Sequence, residues 1–121
     1  MWAVVFADAF DPEFDALGEE VQDELLAQLQ VIRQFGPQAK RPRVDTLKGS
    51  AYANMKELRF GAADGEWRPA FAFDPRQKAI VPVAGDKSGG GSERRFYKAL
   101  IAKADGRFAD HLKRLEAIRR K

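Results

Sequence analysis

The stretch from 53 to 84 constrains the fold of this chain more than any other. Three runs rich in strand-forming residues, roughly 53–60, 66–74 and 78–84, are separated by Gly61-Ala62-Ala63-Asp64-Gly65 and by Asp74-Pro75-Arg76-Gln77. Consecutive strands joined by such short turns lie side by side as an antiparallel meander. Pro82 falls inside the third run and predicts an edge, a bulge or a strand end there. Side chains alternate faces along a strand, so Leu58 and Phe60 point one way and Glu57 and Arg59 the other. In the second run Trp67, Phe71 and Phe73 share a face and Arg68 takes the opposite one. If Phe60 pairs with Trp67, Arg59 lies opposite Arg68. Like charges directly opposite each other destabilise a sheet, which points to an anion held between them.

Helical signals flank the meander. Trp2 to Phe6 reads as a short strand. Asp11-Pro12-Glu13 reads as a helix start, with Asp11 as the cap, and Gly18 kinks or breaks that helix after a first turn that presents Phe14 and Leu17. From Glu19 to Phe35 apolar residues recur at Val21, Leu25, Leu29 and Ile32, an amphipathic helix that Gly36-Pro37 stops. Residues 36–50 read as an extended basic loop carrying Lys40, Arg41 and Arg43. Ser92 can cap a helix from Glu93 to Ala104 whose inner face carries Phe96, Leu100 and Ile101. Asp105-Gly106 breaks it, and a last helix runs from Arg107 to Arg120. The expected architecture is a single α+β domain over 1–121: a small antiparallel sheet packed by N-terminal and C-terminal helices, with one sheet face covered by the N-terminal helix and the other open to water or a ligand.

Composition narrows the chemistry. The chain has 121 residues, no cysteine and one histidine, so thiolate and disulfide chemistry are excluded and a transition-metal site is not expected. No apolar run approaches the ~20 residues of a membrane span, and Met1 to Phe6 runs into Asp8 and Asp11 without a secretory pattern. The expectation is a cytoplasmic protein without a cofactor. The net charge of +3 conceals an asymmetry: residues 1–35 hold eight acids and one base, and residues 36–121 hold twenty bases and ten acids. A basic body suits an anionic partner such as nucleic acid, although an unevenly charged surface fits equally well.

What remains for chemistry is a set of cations. Arg59 and Arg68 lie on the meander, Lys87 in the loop Gly85-Asp86-Lys87-Ser88-Gly89, and Arg94, Arg95 and Lys98 at the start of the following helix. Cations stabilise the charge that develops on a phosphate during phosphodiester transfer, and RNA carries its own nucleophile in the 2′-hydroxyl. Lys87, and less readily Glu57, is a candidate to move protons. Tyr97, beside Lys98, is placed to stack on a base or to pack against the helices. The competing account has Arg59 and Arg68 paired with Glu57 and Glu66 in surface ion pairs. His111, beside Asp110 and Lys113, reads as a solvated helix residue.

The runs Leu47-Lys48-Gly49-Ser50, Glu57-Leu58-Arg59-Phe60 and Trp67-Arg68-Pro69-Ala70-Phe71-Ala72-Phe73-Asp74, followed by Glu93-Arg94-Arg95-Phe96-Tyr97-Lys98, resemble the RelE/ParE superfamily of bacterial toxins. They are most similar to its HigB-like, phage-derived branch. The resemblance implies a RelE-like α+β fold and a metal-independent, ribosome-dependent mRNA endonuclease. It further implies a cognate antitoxin, often a helix-turn-helix protein, as partner. By position Arg59 and Arg68 resemble the phosphate-binding arginines, and Lys87 lies in the region of the catalytic loop. Lys48, Glu57, Arg94, Arg95, Tyr97 and Lys98 are the candidates for further substrate contacts. The sequence departs from the commoner His-Gly-Phe-x-Lys-Lys loop, having Ala84-Gly85-Asp86-Lys87. A ParE-type inhibitor of DNA gyrase and a non-catalytic nucleic-acid or antitoxin-binding module are the alternatives the same fold allows.

Overall fold

A computed structural model describes residues 1–119. In chain order the elements are β1 (Val4–Phe6), α1 (Phe10–Asp15), α2 (Glu19–Phe35), a 3₁₀ turn (Gly36–Gln38), β2 (Val44–Thr46), β3 (Lys56–Leu58), β4 (Phe60–Ala62), β5 (Gly65–Phe73), β6 (Ala79–Asp86) and α3 (Glu93–Arg119). The strands form one open sheet in the order β1-β6-β5-β3-β2, with β4 also paired to β5. The meander of β3 to β6 is antiparallel as expected, but β1 pairs parallel with β6, through Val4↔Ala79 to Phe6↔Val81. The sheet is therefore mixed. The connection from β1 through α1, α2 and four strands is long enough to return to β6 in the same direction, and no local signal reports such a pairing.

Two cores lie on the two faces of the sheet. On one, Leu25, Leu29 and Ile32 of α2 pack with Phe10, Leu58, Phe60, Phe71 and Val81. Each large apolar side chain buried this way contributes about 1.5–3 kcal/mol. On the other, Leu100, Ala104 and Phe108 of α3 pack with Met55, Ala70, Ala72, Ile80 and Val83. The face expected to stay open is thus largely covered by α3. Small residues at Ala70 and Ala72 let that helix lie close. β6, sandwiched between both cores, is buried from Ala79 through Val83, as a strand with helices on each side should be.

Several local expectations change. The helix expected to break at Asp105-Gly106 continues as one 27-residue α3. Asp105 is instead engaged across the fold, accepting from Ser50 Oγ at 2.5 Å and from the Ala51 amide at 2.8 Å. Arg120, the expected end of the last helix, lies outside the described residues. The basic loop contains a short strand, β2, paired with β3. Asp11 does not cap α1; the N-cap is Ala9, with no side-chain bond, and Asp11 sits in the first turn. Pro82 lies mid-sheet at the register shift opposite Ala70 and Ala72, where the irregular ladder leaves room for a residue without an N–H. His111 is buried, with its Nε2 2.9 Å from Asp74 Oδ2. Asp74 directly follows β5, and its Oδ1 accepts from the amides of Arg76 and Lys78 in the turn to β6. No helix among the described residues is long and apolar enough to cross a membrane.

Candidate active site

The Phe60↔Trp67 pairing is present, and Glu57↔Ala70 continues the same register. Arg59 joins β3 to β4 and accordingly faces Arg68. Leu58 and Phe60 enter the α2 core. Glu57, Arg59 and Arg68 point to the other side, where the first turn of α3 arrives.

The centre of the cluster is Glu57, a carboxylate only 3% exposed. Its Oε1 accepts from Arg59 Nε at 2.8 Å and from the Tyr97 hydroxyl at 2.9 Å, and it lies 3.9 Å from Arg68 Nε. The Arg68 side chain is 11% exposed. It donates to the Trp67 carbonyl at 2.9 Å, while its buried Nε has no hydrogen-bond partner. Arg59 also reaches Asp45 Oδ2 of β2 at 3.3 Å. Both ion pairs anticipated for the arginines are therefore present, but Glu57 is a buried hub and not a surface partner. Glu66 is only a distant neighbour of Arg68, at 3.9 Å.

Lys87 follows directly on β6. Its amide donates to the Glu66 carbonyl at 2.7 Å, its Nζ lies 2.6 Å from Glu93 Oε1, and the ammonium stands 5.7 Å from the centre of the Tyr97 ring. The hydrogen bond to Glu93 raises the Lys87 pKa above the ordinary lysine value, so the group is a fixed cation at neutral pH. The same bond lowers Glu93. Burial, and then the hydrogen bond to Glu57, raise Tyr97; Arg68 and Lys87 oppose them without cancelling the shift. Its hydroxyl consequently keeps its proton and serves as a donor.

A groove of about 350 Å³ runs past these groups, lined by Asp45, Lys48, Glu57, Arg59, Glu93 and Tyr97 among others. A neighbouring depression of about 270 Å³ is lined by Arg59, Phe60, Gly61, Glu66 and Arg68. Arg59 stands between the two. Arg94 and Lys98 are exposed and share a helix stripe with Ile101 and Asp105, the stripe that faces the 48–51 turn. Arg95 is two positions from Tyr97, about 200° around the helix, and looks away from the groove. Asp45 and Glu93 were absent from the sequence candidates. Glu93 was legible only as a first-turn acid, and Asp45 was hidden because its strand is three residues long.

The arrangement gathers three cations, a buried carboxylate and a phenol beside an open groove, a surface suited to an anionic ligand. The family model described as Phage derived protein Gp49-like (DUF891) matches residues 12–109. The chain belongs to this family. Among curated proteins it is 40% identical over 103 residues to the "Putative toxin HigB2" of Mycobacterium tuberculosis, covering 84% of this chain and 50% of that protein. It is 35% identical over 105 residues to the "Putative toxin HigB3" of the same organism, covering 87% and 89%. The chain thus spans about half the length of HigB2 and most of HigB3. It is a HigB-like member of the Gp49-like family, in line with the motif order read from Glu57 to Lys98. No solved structure matches it significantly.

Proposed function

We propose that this protein is the toxin of a toxin–antitoxin pair and that it cleaves mRNA on the ribosome. The observation that carries the reading is the cluster of cations around buried Glu57: Arg59 lines the groove, Arg68 lines the adjoining depression, and Lys87 is paired with Glu93 and stands over Tyr97 of the groove wall. The names of its HigB relatives support the toxin class. Arg59 and Arg68 hold the scissile phosphate. Lys87, kept charged by Glu93, stabilises the negative charge that grows on the phosphate oxygens. Because Lys87 does not give up its proton readily, Glu57 takes the proton of the 2′-hydroxyl as that oxygen attacks the adjacent phosphorus. The 5′-oxygen departs, takes a proton from water in the open groove and leaves as a hydroxyl, and the upstream fragment ends in a 2′,3′-cyclic phosphate. Arg94, Lys48 and Lys98 contact flanking phosphates along the rim. The partners are a cognate antitoxin, of helix-turn-helix type, and ribosome-bound mRNA.

The test is expression of the wild type and of Arg59→Ala and Arg68→Ala variants, with growth and the 5′ ends of cellular transcripts followed together. Growth arrest with new transcript ends in the wild type, and neither in the variants, supports the reading. Arrest with intact mRNA and an SOS response would assign the fold to gyrase inhibition. Harmless expression of the wild type would favour a non-catalytic binding module.

A further inference from the structure

We propose that Asp86 is the positioning residue for Lys87, setting where its ammonium sits against Glu93 and Tyr97; as a statement about catalysis this rests on the endonuclease reading above. Asp86 is the last residue of β6 and Trp67 is its partner on β5. Its carboxylate turns back over the strand end. Oδ1 accepts from the Glu66 amide at 3.1 Å, the Ser88 amide at 2.9 Å and the Ser88 hydroxyl at 2.7 Å. Those bonds bracket Lys87 on both sides: Glu66 is the residue whose carbonyl accepts the Lys87 amide, and Ser88 is its chain neighbour. One carboxylate oxygen therefore fixes the backbone before and after the lysine to the start of β5.

The need for such a tether follows from what comes next. Gly89-Gly90-Gly91 separates Lys87 from α3, with φ of +83° and +84° at Gly90 and Gly91. Glycines hold little conformational preference, so the loop itself cannot aim the side chain. Gly65 completes the arrangement. A Cβ there would stand 3.0 Å from Asp86 Oδ2 and 2.8 Å from Trp67 Nε1, so a side chain at 65 would push the carboxylate or the indole aside. Asp86 touches neither the groove lining nor Lys87 Nζ, and acts only through the position of the lysine.

The experiment combines two readouts on Asp86→Ala, Asp86→Asn, Lys87→Ala and the double variant Asp86→Ala/Lys87→Ala. The first is amide hydrogen exchange at Lys87 and Ser88, which is independent of what the protein does. The second is cleavage of ribosome-bound mRNA. Asp86→Ala is expected to expose both amides to exchange and to lower kcat about 10–100-fold with KM little changed, the scale of a catalytic group misplaced by about 1 Å. Asp86→Asn keeps an acceptor oxygen and should recover most of both. In the Lys87→Ala background, removing Asp86 should cost less than about twofold, because nothing is left to position. Unchanged exchange at Lys87 and Ser88 in Asp86→Ala, or cleavage losses that multiply in full in the double variant, would overturn the assignment. A wild type that cuts no RNA while Asp86→Ala still frees the two amides would end the endonuclease reading and leave the tether established.

Discussion

Replacing Glu57 by alanine tests whether the site is also a structural hub. The variant removes the oxygen that faces Arg59 Nε at 2.8 Å, the Tyr97 hydroxyl at 2.9 Å and Arg68 Nε at 3.9 Å. Arg59 is 38% exposed, so water takes over much of its lost partner and its share is below about 1 kcal/mol. Arg68, 11% exposed and with a buried Nε that already lacks a hydrogen bond, is left with its buried end unpaired and only the exposed Glu66 at 3.9 Å from its outer nitrogen. Breaking a buried pair from one side costs about 3–5 kcal/mol. Against a total stability of about 5–15 kcal/mol that is severe, and for a chain of this size it lowers Tm by roughly 10–20 °C. Urea unfolding followed by circular dichroism should show a reduced midpoint with an unchanged slope. The decisive comparison is Glu57→Met with Arg68→Met in one chain. Removing both charges should return stability to within about 2 kcal/mol of the wild type. A loss below about 1 kcal/mol in Glu57→Ala, or a double variant as unstable as the sum of its parts, would refute the account of Glu57 as counter-ion to a stranded arginine.

Three further outcomes follow from the same geometry. Burial alone would raise Asp74, but hydrogen bonds from His111 and from the Lys78 and Arg76 amides outweigh it and hold its carboxyl below the ordinary aspartate value. A lowered folded pKa gives stability that is complete above the unfolded value of about 3.9 and lost as pH falls through the folded one. Tm measured from pH 7 to pH 2 should therefore fall less steeply below about pH 4 in Asp74→Asn than in the wild type, and an identical slope would remove Asp74 from the acid limb. Gly36→Ala should destabilise by at least about 1–3 kcal/mol in chemical unfolding, because φ is +56° there and the added Cβ would stand 2.3 Å from Trp2 Nε1; a neutral result would contradict the packing of Trp2 on the end of α2. Arg59→Lys should lower mRNA cleavage tenfold or more, since an ammonium cannot reproduce a two-pronged hold on phosphate and carboxylate, whereas a diffuse basic surface would tolerate the change.

What could be read from the chain alone follows the range of each signal. The strands of the meander, their facing sides and the Arg59–Arg68 juxtaposition rest on period-two alternation and short turns, so they were legible. The parallel pairing of β1 with β6 spans more than seventy positions, and no local pattern encodes it. Asp105-Gly106 looks like a helix end because both residues weaken a helix. In the fold Asp105 is occupied by Ser50 and Ala51, and flanking turns packed through Ala104 and Phe108 carry Gly106 along. His111 sits among charged neighbours in sequence, yet its partner Asp74 is 37 residues away. The cations of the site were visible as residue types. The acids that fix them, Asp45 and Glu93, were not, because their roles depend on a three-residue strand and on how the glycine loop folds back.

The placement of the site follows from how α3 covers its face of the sheet. Where β5 presents Ala70 and Ala72 the helix lies close, with Leu100, Ala104 and Phe108 filling the gap. Toward the start of β5 the same face presents Arg68, flanked by Glu57 and Arg59, and no apolar helix turn could cover three charged groups without stranding them. The start of α3 there offers Glu93 and Tyr97, which give Lys87 and buried Glu57 polar partners. Ser50 and Ala51, bound to Asp105, bring the turn carrying Lys48 to the same helix. The groove is thus the part of the α3 face that the helix cannot close, walled by its own first turn. Tyr97 is both the last group of the core and the first of the site. Removing only its hydroxyl, in Tyr97→Phe, should leave the packing against Phe96 in place and lower cleavage. If the same change unfolded the protein, the wall would be structural and the division drawn here between core and site would be wrong.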